Sequence, residues 1–255
     1  MRGLVIAPAC IPVGVQDILL SRLLHRDLAN PEHKTNVHFH HEITYPKVNK
    51  SFFSYDPFDC EAVQPRDPQT HRPMAVQQFL SKKLRWITLG GQYNWTEKRY
   101  PEVAPPDFPS DLSILLKGLF PQTTPQAAIV NLYSPGDVLS LHRDVSEECD
   151  TGLISLSIGC DGLFILGLED KLTPGLFKHI VLRLQSGDAV YMADRARFAW
   201  HGVPKIIAGT CPEEIRNWPA TQSNEHDYVS KQQQRTWTGW MKSKRININV
   251  RQIWK

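Results

Sequence analysis

From Ala127 to the C-terminus the chain is a succession of short apolar segments broken at glycine turns, a rhythm that points to a β architecture. Residues 153–158 and 163–166 flank Gly159-Cys160-Asp161-Gly162 and predict a hairpin. Residues 179–184 and 189–192 flank Gln185-Ser186-Gly187-Asp188 and predict a second. The last segment alternates, with Ile246, Ile248 and Val250 on one face and Arg245, Asn247, Asn249 and Arg251 on the other. Many short strands with glycine turns suggest a jelly roll, a mainly β fold with flanking helices.

Helical periodicity is confined to two places. Val15, Leu19 and Leu23, with Leu20, Leu24 and Leu28 beside them, form one helical face over residues 12–28 that stops at Asn30-Pro31. Ser110 is the expected N-cap, with Asp111 in the first turn, of a helix through Leu112, Leu115, Leu116 and Leu119 that ends at Pro121. Residues 31–75 read as irregular and proline-rich. A chain of 255 residues with 41% hydrophobic content suits a single globular unit, and no apolar run is long enough to span a membrane.

The chemistry is concentrated in a few polar positions. His142 and Asp144 are expected on one face of a strand, and a distant His201 completes a two-His, one-carboxylate set of the kind that holds Fe(II) with open positions for a co-substrate and O2. A bare His-x-Asp also arises by chance on a polar surface strand, so the rest of the chain decides. Arg245 and Arg251 with asparagines between them suit a dianion such as 2-oxoglutarate, because guanidinium grips carboxylate bidentately. An apolar strand from Ala127 carries Asn131 and Tyr133 to one face and breaks at Pro135-Gly136, just upstream of His142.

Taken together, Asn131-x-Tyr133, His142-x-Asp144, Arg197 four residues before His201, and Arg245-x-Asn247-x-x-x-Arg251 resemble the AlkB family of Fe(II)- and 2-oxoglutarate-dependent nucleic-acid dioxygenases. The segments running from Leu84 to Trp95, from Phe108 to Leu112 and from His142 to Glu147 resemble its eukaryotic homologue-1 branch. The resemblance implies a double-stranded β-helix over residues 127–255, and the residues between His201 and Arg245, rich in Pro, Asn, Gln and Glu, read as a surface insertion at about 205–236 ending in a short helix around Trp237 and Trp240. Residues 1–126 would supply N-terminal helices and a nucleotide-recognition lid packed on that core, as one structural domain overall. It implies iron on His142, Asp144 and His201, and 2-oxoglutarate paired with Arg245 and contacted by Asn131, Tyr133, Asn247 and Arg251. The implied reaction demethylates N-methylated adenine, 1-methyladenine in tRNA or N6-methyladenine in unpaired DNA, releasing formaldehyde, succinate and CO2. Glu147 and, less so, Ser146, just beyond the carboxylate ligand, are candidates to meet the base, the alternative for Glu147 being an exposed loop acid. Arg197 either orients the ligand region or is a structural strand-end arginine.

Net charge is only +3, but Arg66 to Arg99 holds seven bases (Arg66, Arg72, Lys82, Lys83, Arg85, Lys98 and Arg99) against Asp67 and Glu97. Charge alone fits a solvated basic face as well as a phosphate-binding one. Tyr93 and Trp95 within that stretch favour an unstacked nucleic-acid base as partner, with Lys82, Lys83, Arg85, Lys98 and Arg99 near its phosphates. With Trp86 nearby, one or two of the three rings are expected in the core. His38, His40 and His41 form a cluster that either binds metal or lies in a polar strand or loop. Five scattered cysteines suit reduced thiols inside a cell, whether nucleus, cytoplasm or mitochondrion, and the protein is expected to act as a monomer away from membranes. The alternatives are an oxygenase acting on a protein or small molecule, and a catalytically idle nucleic-acid-binding module.

Overall fold

A computed structural model describes residues 2–170, 173, 175–220 and 228–255. Twelve strands occur among these: β1 Leu4–Ala7, β2 His41–Ile43, β3 Val63–Pro65, β4 Trp86–Gly90, β5 Ala127–Tyr133, β6 Leu139–His142, β7 Leu153–Gly159, β8 Gly162–Glu169, β9 Phe177–Leu184, β10 Ala189–Met192, β11 Trp200–Ile206 and β12 Arg245–Arg251. They form a six-stranded major sheet ordered β1-β10-β7-β12-β5-β4, a four-stranded minor sheet ordered β6-β11-β8-β9, and the small β2-β3 pair. All pairings are antiparallel.

Neither expected hairpin forms. The glycine turn after β7 hands the chain from the major to the minor sheet, and the turn after β9 hands it back. The two turns therefore connect sheets rather than paired neighbours. Successive strands from β5 to β12 alternate between the sheets except at β8 and β9, which do pair, and this arrangement is consistent with a jelly roll. Gly159 makes the first crossing feasible: its φ of +93° is left-handed, and a Cβ there would sit 2.3 Å from the Lys244 carbonyl oxygen.

β12 runs through the major sheet between β5 and β7, and its alternation explains the placement of the chemistry. Ile246, Ile248 and Val250 are fully buried in the same apolar cluster as Ile154, Leu156 and Ile158 of β7 and Ala128, Val130 and Leu132 of β5. Each such side chain contributes about 1.5–3 kcal/mol by leaving water. A one-residue slip would exchange this face with the polar one, so burial fixes the register that brings Arg245 opposite Tyr133 and Asn247 opposite Asn131.

The first helix is present as Val13–Ser21 and continues as a π-helical turn over Arg22–Asp27, burying Leu19, Leu20, Leu23 and Leu24. The second spans Ser110–Leu119, but Pro109 occupies the cap position and Ser110 is already helical. Asp111 accepts from Arg26 at 2.7 Å and pairs with Arg22, which ties the two helices together. Residues 31–75 are less irregular than expected, because they include β2, β3 and two short 3-10 helices. β1 and β4 complete the major sheet, so the portion before residue 127 is structurally continuous with residues 127–255.

The expected surface insertion at 205–236 is in part core. Trp218 packs edge-on to Phe53 at 5.0 Å, and Trp237 and Trp240 approach the same ring at 5.2 and 5.4 Å. The part of the insertion at 221–227 lies outside the described residues. No described helix is long and apolar enough to cross a membrane.

Candidate active site

His142 ends β6, His201 lies on β11, and the two are cross-strand partners with ring centroids 4.3 Å apart. The expected strand does not reach Asp144. β6 stops at His142, and Asp144 lies in the loop beyond it, which curls its carboxylate back between the imidazoles. His142 Nε2 lies 3.8 Å from Asp144 Oδ1 and His201 Nε2 lies 3.8 Å from Oδ2. The three ligand atoms fall within 4.8 Å of one another, and no other such group of three occurs among the described residues.

Backbone carbonyls set both tautomers. His142 Nδ1 lies 2.9 Å from the Ser140 oxygen and His201 Nδ1 lies 3.0 Å from the Ala199 oxygen. A carbonyl only accepts, so each Nδ1 carries the proton and each Nε2 turns a lone pair toward the shared space. Burial pushes the His201 pKa down, against the opposing attraction of Asp144, which keeps the ring neutral and able to ligate. Two imidazoles and a carboxylate grouped in this way are a donor set that fits Fe(II).

Asp144 is held ionised. Burial would raise its pKa, but Arg251, with His201, His142 and Arg197 in support, overrides this and holds it at about 2. Its Oδ2 accepts from Arg251 at 3.0 Å and from Asn249 Nδ2 at 3.3 Å. Arg251 also approaches Glu147 Oε1 at 3.4 Å, and Glu147 Oε2 accepts from Arg197 at 2.7 Å. Arg197 closes the brace by donating to the backbone oxygens of Asp144 and, at 3.1 Å, Thr151. Glu147 is thus not the exposed loop acid: it is among the residues lining the cavity, but its side chain is 1% exposed and engaged by two arginines. Arg197 is the orienting residue of the two readings given for it, and its side chain is also 1% exposed.

Arg245 is 2% exposed, yet among the described residues no carboxylate lies within ion-pairing distance. It donates to the Cys160 oxygen at 3.2 Å, the Leu184 oxygen at 3.4 Å and Ser157 Oγ at 2.8 Å. Its Nε has no hydrogen-bond partner, nor does the buried Tyr133 hydroxyl. Burial lowers its pKa to about 10, with Tyr133, Asp161 and Asp188 opposing. A buried cation without a counter-charge is costly, and an anionic group entering beside it would relieve that cost. The distal carboxylate of 2-oxoglutarate has the charge and shape to do so.

One cavity of about 510 Å³ joins these parts, lined by the triad, Arg245, Asn131, Asn247, Asn249 and Arg251, and at its mouth by Tyr93, Trp95, Lys98 and Ser146. Asn247 Nδ2 is partly engaged, donating to Ser155 Oγ at 2.7 Å and the Leu156 oxygen at 3.1 Å. Trp95 is 38% exposed and stacks on Trp86 at 5.0 Å, with Tyr93 edge-on to it at 4.9 Å. The Tyr93 hydroxyl lies 3.2 Å from Ser146 Oγ, which bridges the aromatic wall to the loop carrying Asp144.

The basic stretch divides. Lys82 and Lys83 are exposed, and Lys98 reaches the cavity mouth. Arg85 is paired with Asp137, and Arg99 with Glu97 at 2.7 Å, so both have less charge to offer than expected. The histidine cluster does not converge on a metal: His38 closes a capping box with Thr35 and meets the Tyr45 hydroxyl at 2.9 Å, and His41 Nε2 meets the Arg72 oxygen at 3.1 Å. Ser155 and Ser157 belong to the site, through Asn247 and Arg245, although no motif singles them out. Their signal in the sequence is two serines two residues apart in an otherwise apolar strand, opposite the asparagines of β12.

A family model described as the 2OG-Fe(II) oxygenase superfamily matches residues 49–251. The chain is similar to an N6-methyladenosine RNA demethylase, ALKB1, of Pyricularia oryzae, with 46% identity covering 99% of this chain and 75% of that one. It is 48% identical to an N6-methyladenosine RNA demethylase, ALKBH, of Cryphonectria parasitica, over 85% of this chain and 99% of the relative. The tRNA demethylase abh1 of Schizosaccharomyces pombe is 38% identical over 98% of this chain and 79% of its own length. The solved structure of OsALKBH1 superposes with a TM-score of 0.59 at 16% identity, covering 99% of this chain and 97% of that one, a likeness of fold.

Proposed function

Because the chain belongs to the 2OG-Fe(II) oxygenase superfamily, and within it to the AlkB family, we propose that this dioxygenase demethylates N-methylated adenine in unpaired nucleic acid. The observation that carries the reading is the single cavity in which a metal triad lies between an uncompensated buried arginine and an aromatic wall. The arginine suits a dicarboxylate, and the wall suits a flat base. The relatives named as RNA and tRNA demethylases support a nucleic-acid substrate.

When bound, Fe(II) with 2-oxoglutarate and O2 supplies the oxidising chemistry that hydroxylates an N-methyl carbon, with succinate and CO2 as co-products. The N-hydroxymethyl group then leaves as formaldehyde, restoring the base. In this reading His142, Asp144 and His201 would hold the metal, and all three line the cavity that would admit the co-substrate. Arg245 pairs with the distal carboxylate and Asn131 extends the polar surface beside it, while Tyr133, the cross-strand partner of Arg245, is not among the residues lining the cavity and keeps a buried hydroxyl without a hydrogen-bond partner. Arg251 and Asn249 fix the Asp144 carboxylate, while Arg197 and Glu147 keep its loop from drifting. Tyr93 and Trp95 act as the recognition part of the N-terminal portion, flanking the base while Ser146 and Lys98 meet its polar edge and phosphate.

Extruding a paired base costs a few kcal/mol that an unpaired one does not, so single-stranded or bulged sites are preferred. The test is mass spectrometry of nucleosides after incubating the protein, Fe(II) and 2-oxoglutarate with RNA and DNA strands carrying 1-methyladenine or N6-methyladenine. Loss of one methylated base with matching formaldehyde release is expected. Succinate production unaccompanied by loss of any methylated base would redirect the reading to a protein or small-molecule substrate.

A further inference from the structure

Resting on the nucleic-acid reading, we propose that Trp200, which does not line the catalytic cavity, and Arg143, which does, form a second nucleotide platform at its edge, which takes the neighbour of the base being demethylated. The neighbouring base stacks on the Trp200 indole, and the phosphate between the two nucleotides pairs with Arg143.

The position comes from strand alternation. Trp200 immediately precedes His201 on β11, so when His201 faces inward Trp200 faces out. Arg143 is the residue just after His142, beyond the end of β6, and it is exposed where it lines the cavity. His142 and His201 are cross-strand partners, so the exposed residues next to them also meet. The Arg143 guanidinium carbon lies 5.2 Å from the centroid of the Trp200 ring.

Both groups are available. Trp200 is 42% exposed, a large apolar surface to leave in water beside a buried metal ligand. Directly across β8 its partner is Gly167, and the next residue of β11 on the same face is Gly202, so neither neighbour places a side chain beside the indole. Arg143 makes no ion pair among the described residues and also lines the cavity. A cation held over an exposed aromatic ring at the rim of the cavity offers one charge for a phosphate and one π-face for a base. A purely apolar partner would leave the arginine unused, and an acidic peptide would leave the indole unused.

The competing explanation is that Trp200 merely holds His201 in place. The full chain is therefore assayed by fluorescence anisotropy with a labelled single-stranded RNA pentamer carrying a central methyladenine, and in parallel by anaerobic Fe(II) titration. Trp200→Ala should raise the Kd for RNA about tenfold while Trp200→Phe keeps most of the affinity. Arg143→Ala should weaken binding and lower its salt slope by about one counterion. An unchanged RNA Kd in Trp200→Ala overturns the platform, as does Fe(II) affinity falling in step with RNA affinity. If the wild type demethylates the strand and either of these results is obtained, the platform alone fails. A wild type that neither binds nor demethylates the strand removes the nucleic-acid reading and the platform with it.

Discussion

Arg251 reaches Asp144 across the site, with Nη2 3.0 Å from Oδ2, and so fixes the charge and orientation of the carboxylate before any metal arrives. The resemblance gives Arg251 to the co-substrate, and its geometry makes it first a partner of the ligand. A carboxyl held at about 2 in the fold, below its unfolded value, contributes stability that is fully present above the unfolded pKa and is lost as pH falls through about 2. The contribution is about 2–3 kcal/mol. Metal-free Asp144→Asn should therefore show a shallower loss of stability between about pH 4 and pH 2 than the wild type. Chemical denaturation across that range decides, and parallel profiles would mean that Asp144 is not held as described.

Arg245→Ala should raise the 2-oxoglutarate concentration needed for half-maximal turnover steeply, because a largely desolvated carboxylate would lose its charge-assisted partner at a cost of about 2–5 kcal/mol. Arg245→Lys should recover only part, since an ammonium cannot reproduce the planar fork. Removing a buried cation that has no counter-charge should at the same time offset part of the stability lost with its packing and its three hydrogen bonds. Co-substrate titration beside thermal melting separates these effects, and an unchanged half-saturation would make Arg245 purely structural.

The sequence discloses the chemistry better than the topology. His142, Asp144, His201, Asn131 and Arg245 are legible because their chemistry demands particular residue types at particular spacings, and all five line one cavity. Strand partners are not legible. A glycine turn that closes a hairpin looks the same as one that hands the chain from one sheet to another, and only the long-range pairing of β7 with β10 and β12 distinguishes them. Glu147 misleads for a related reason, since a loop acid next to polar residues looks exposed until distant arginines at 197 and 251 close over it. Trp237 and Trp240 likewise read as part of a surface insertion because nothing local announces Phe53 as their partner.

Glu147 sits between Arg197 and Arg251, and neutralising it leaves two buried guanidiniums short of their counter-charge. Breaking such a buried pair from one side costs about 3–5 kcal/mol. Glu147→Gln should lower the denaturation midpoint markedly and also weaken Fe(II) binding, because the Asp144 loop is braced through the same arginines. A variant with wild-type stability would show that solvent, rather than Glu147, balances those charges.

Gly162 begins β8, and an added Cβ there would lie 2.7 Å from Arg245 Nε and 3.0 Å from its Cδ and Cζ. Gly162→Ala should therefore displace the guanidinium from its position, raising the 2-oxoglutarate requirement without removing any polar group. The effect should be smaller than that of Arg245→Ala, since the long side chain can shift by a few tenths of an ångström. Equal half-saturation in Gly162→Ala and wild type would mean that Arg245 adjusts freely.

The basic stretch and the aromatic wall should separate in a salt series. Lys82 and Lys83 are exposed and do not line the cavity, so reversing both to Glu should weaken binding of all nucleic-acid strands alike and flatten the salt dependence, through lost counterion release. Trp95 does line the cavity, and it stacks on Trp86 with one face while Tyr93 meets it edge-on. Trp95→Ala should therefore impair demethylation about five- to a hundredfold, the range expected for a lost base–aromatic stack, while the salt slope stays near that of the wild type. Arg85 and Arg99 should matter less than Lys82, Lys83 and Lys98, because Asp137 and Glu97 already engage them. Demethylation of matched bulged and fully paired strands at several salt concentrations measures these effects together. Salt-independent binding in the wild type would remove the lysines from the account, and equal rates on bulged and paired strands would remove the preference for an unpaired base.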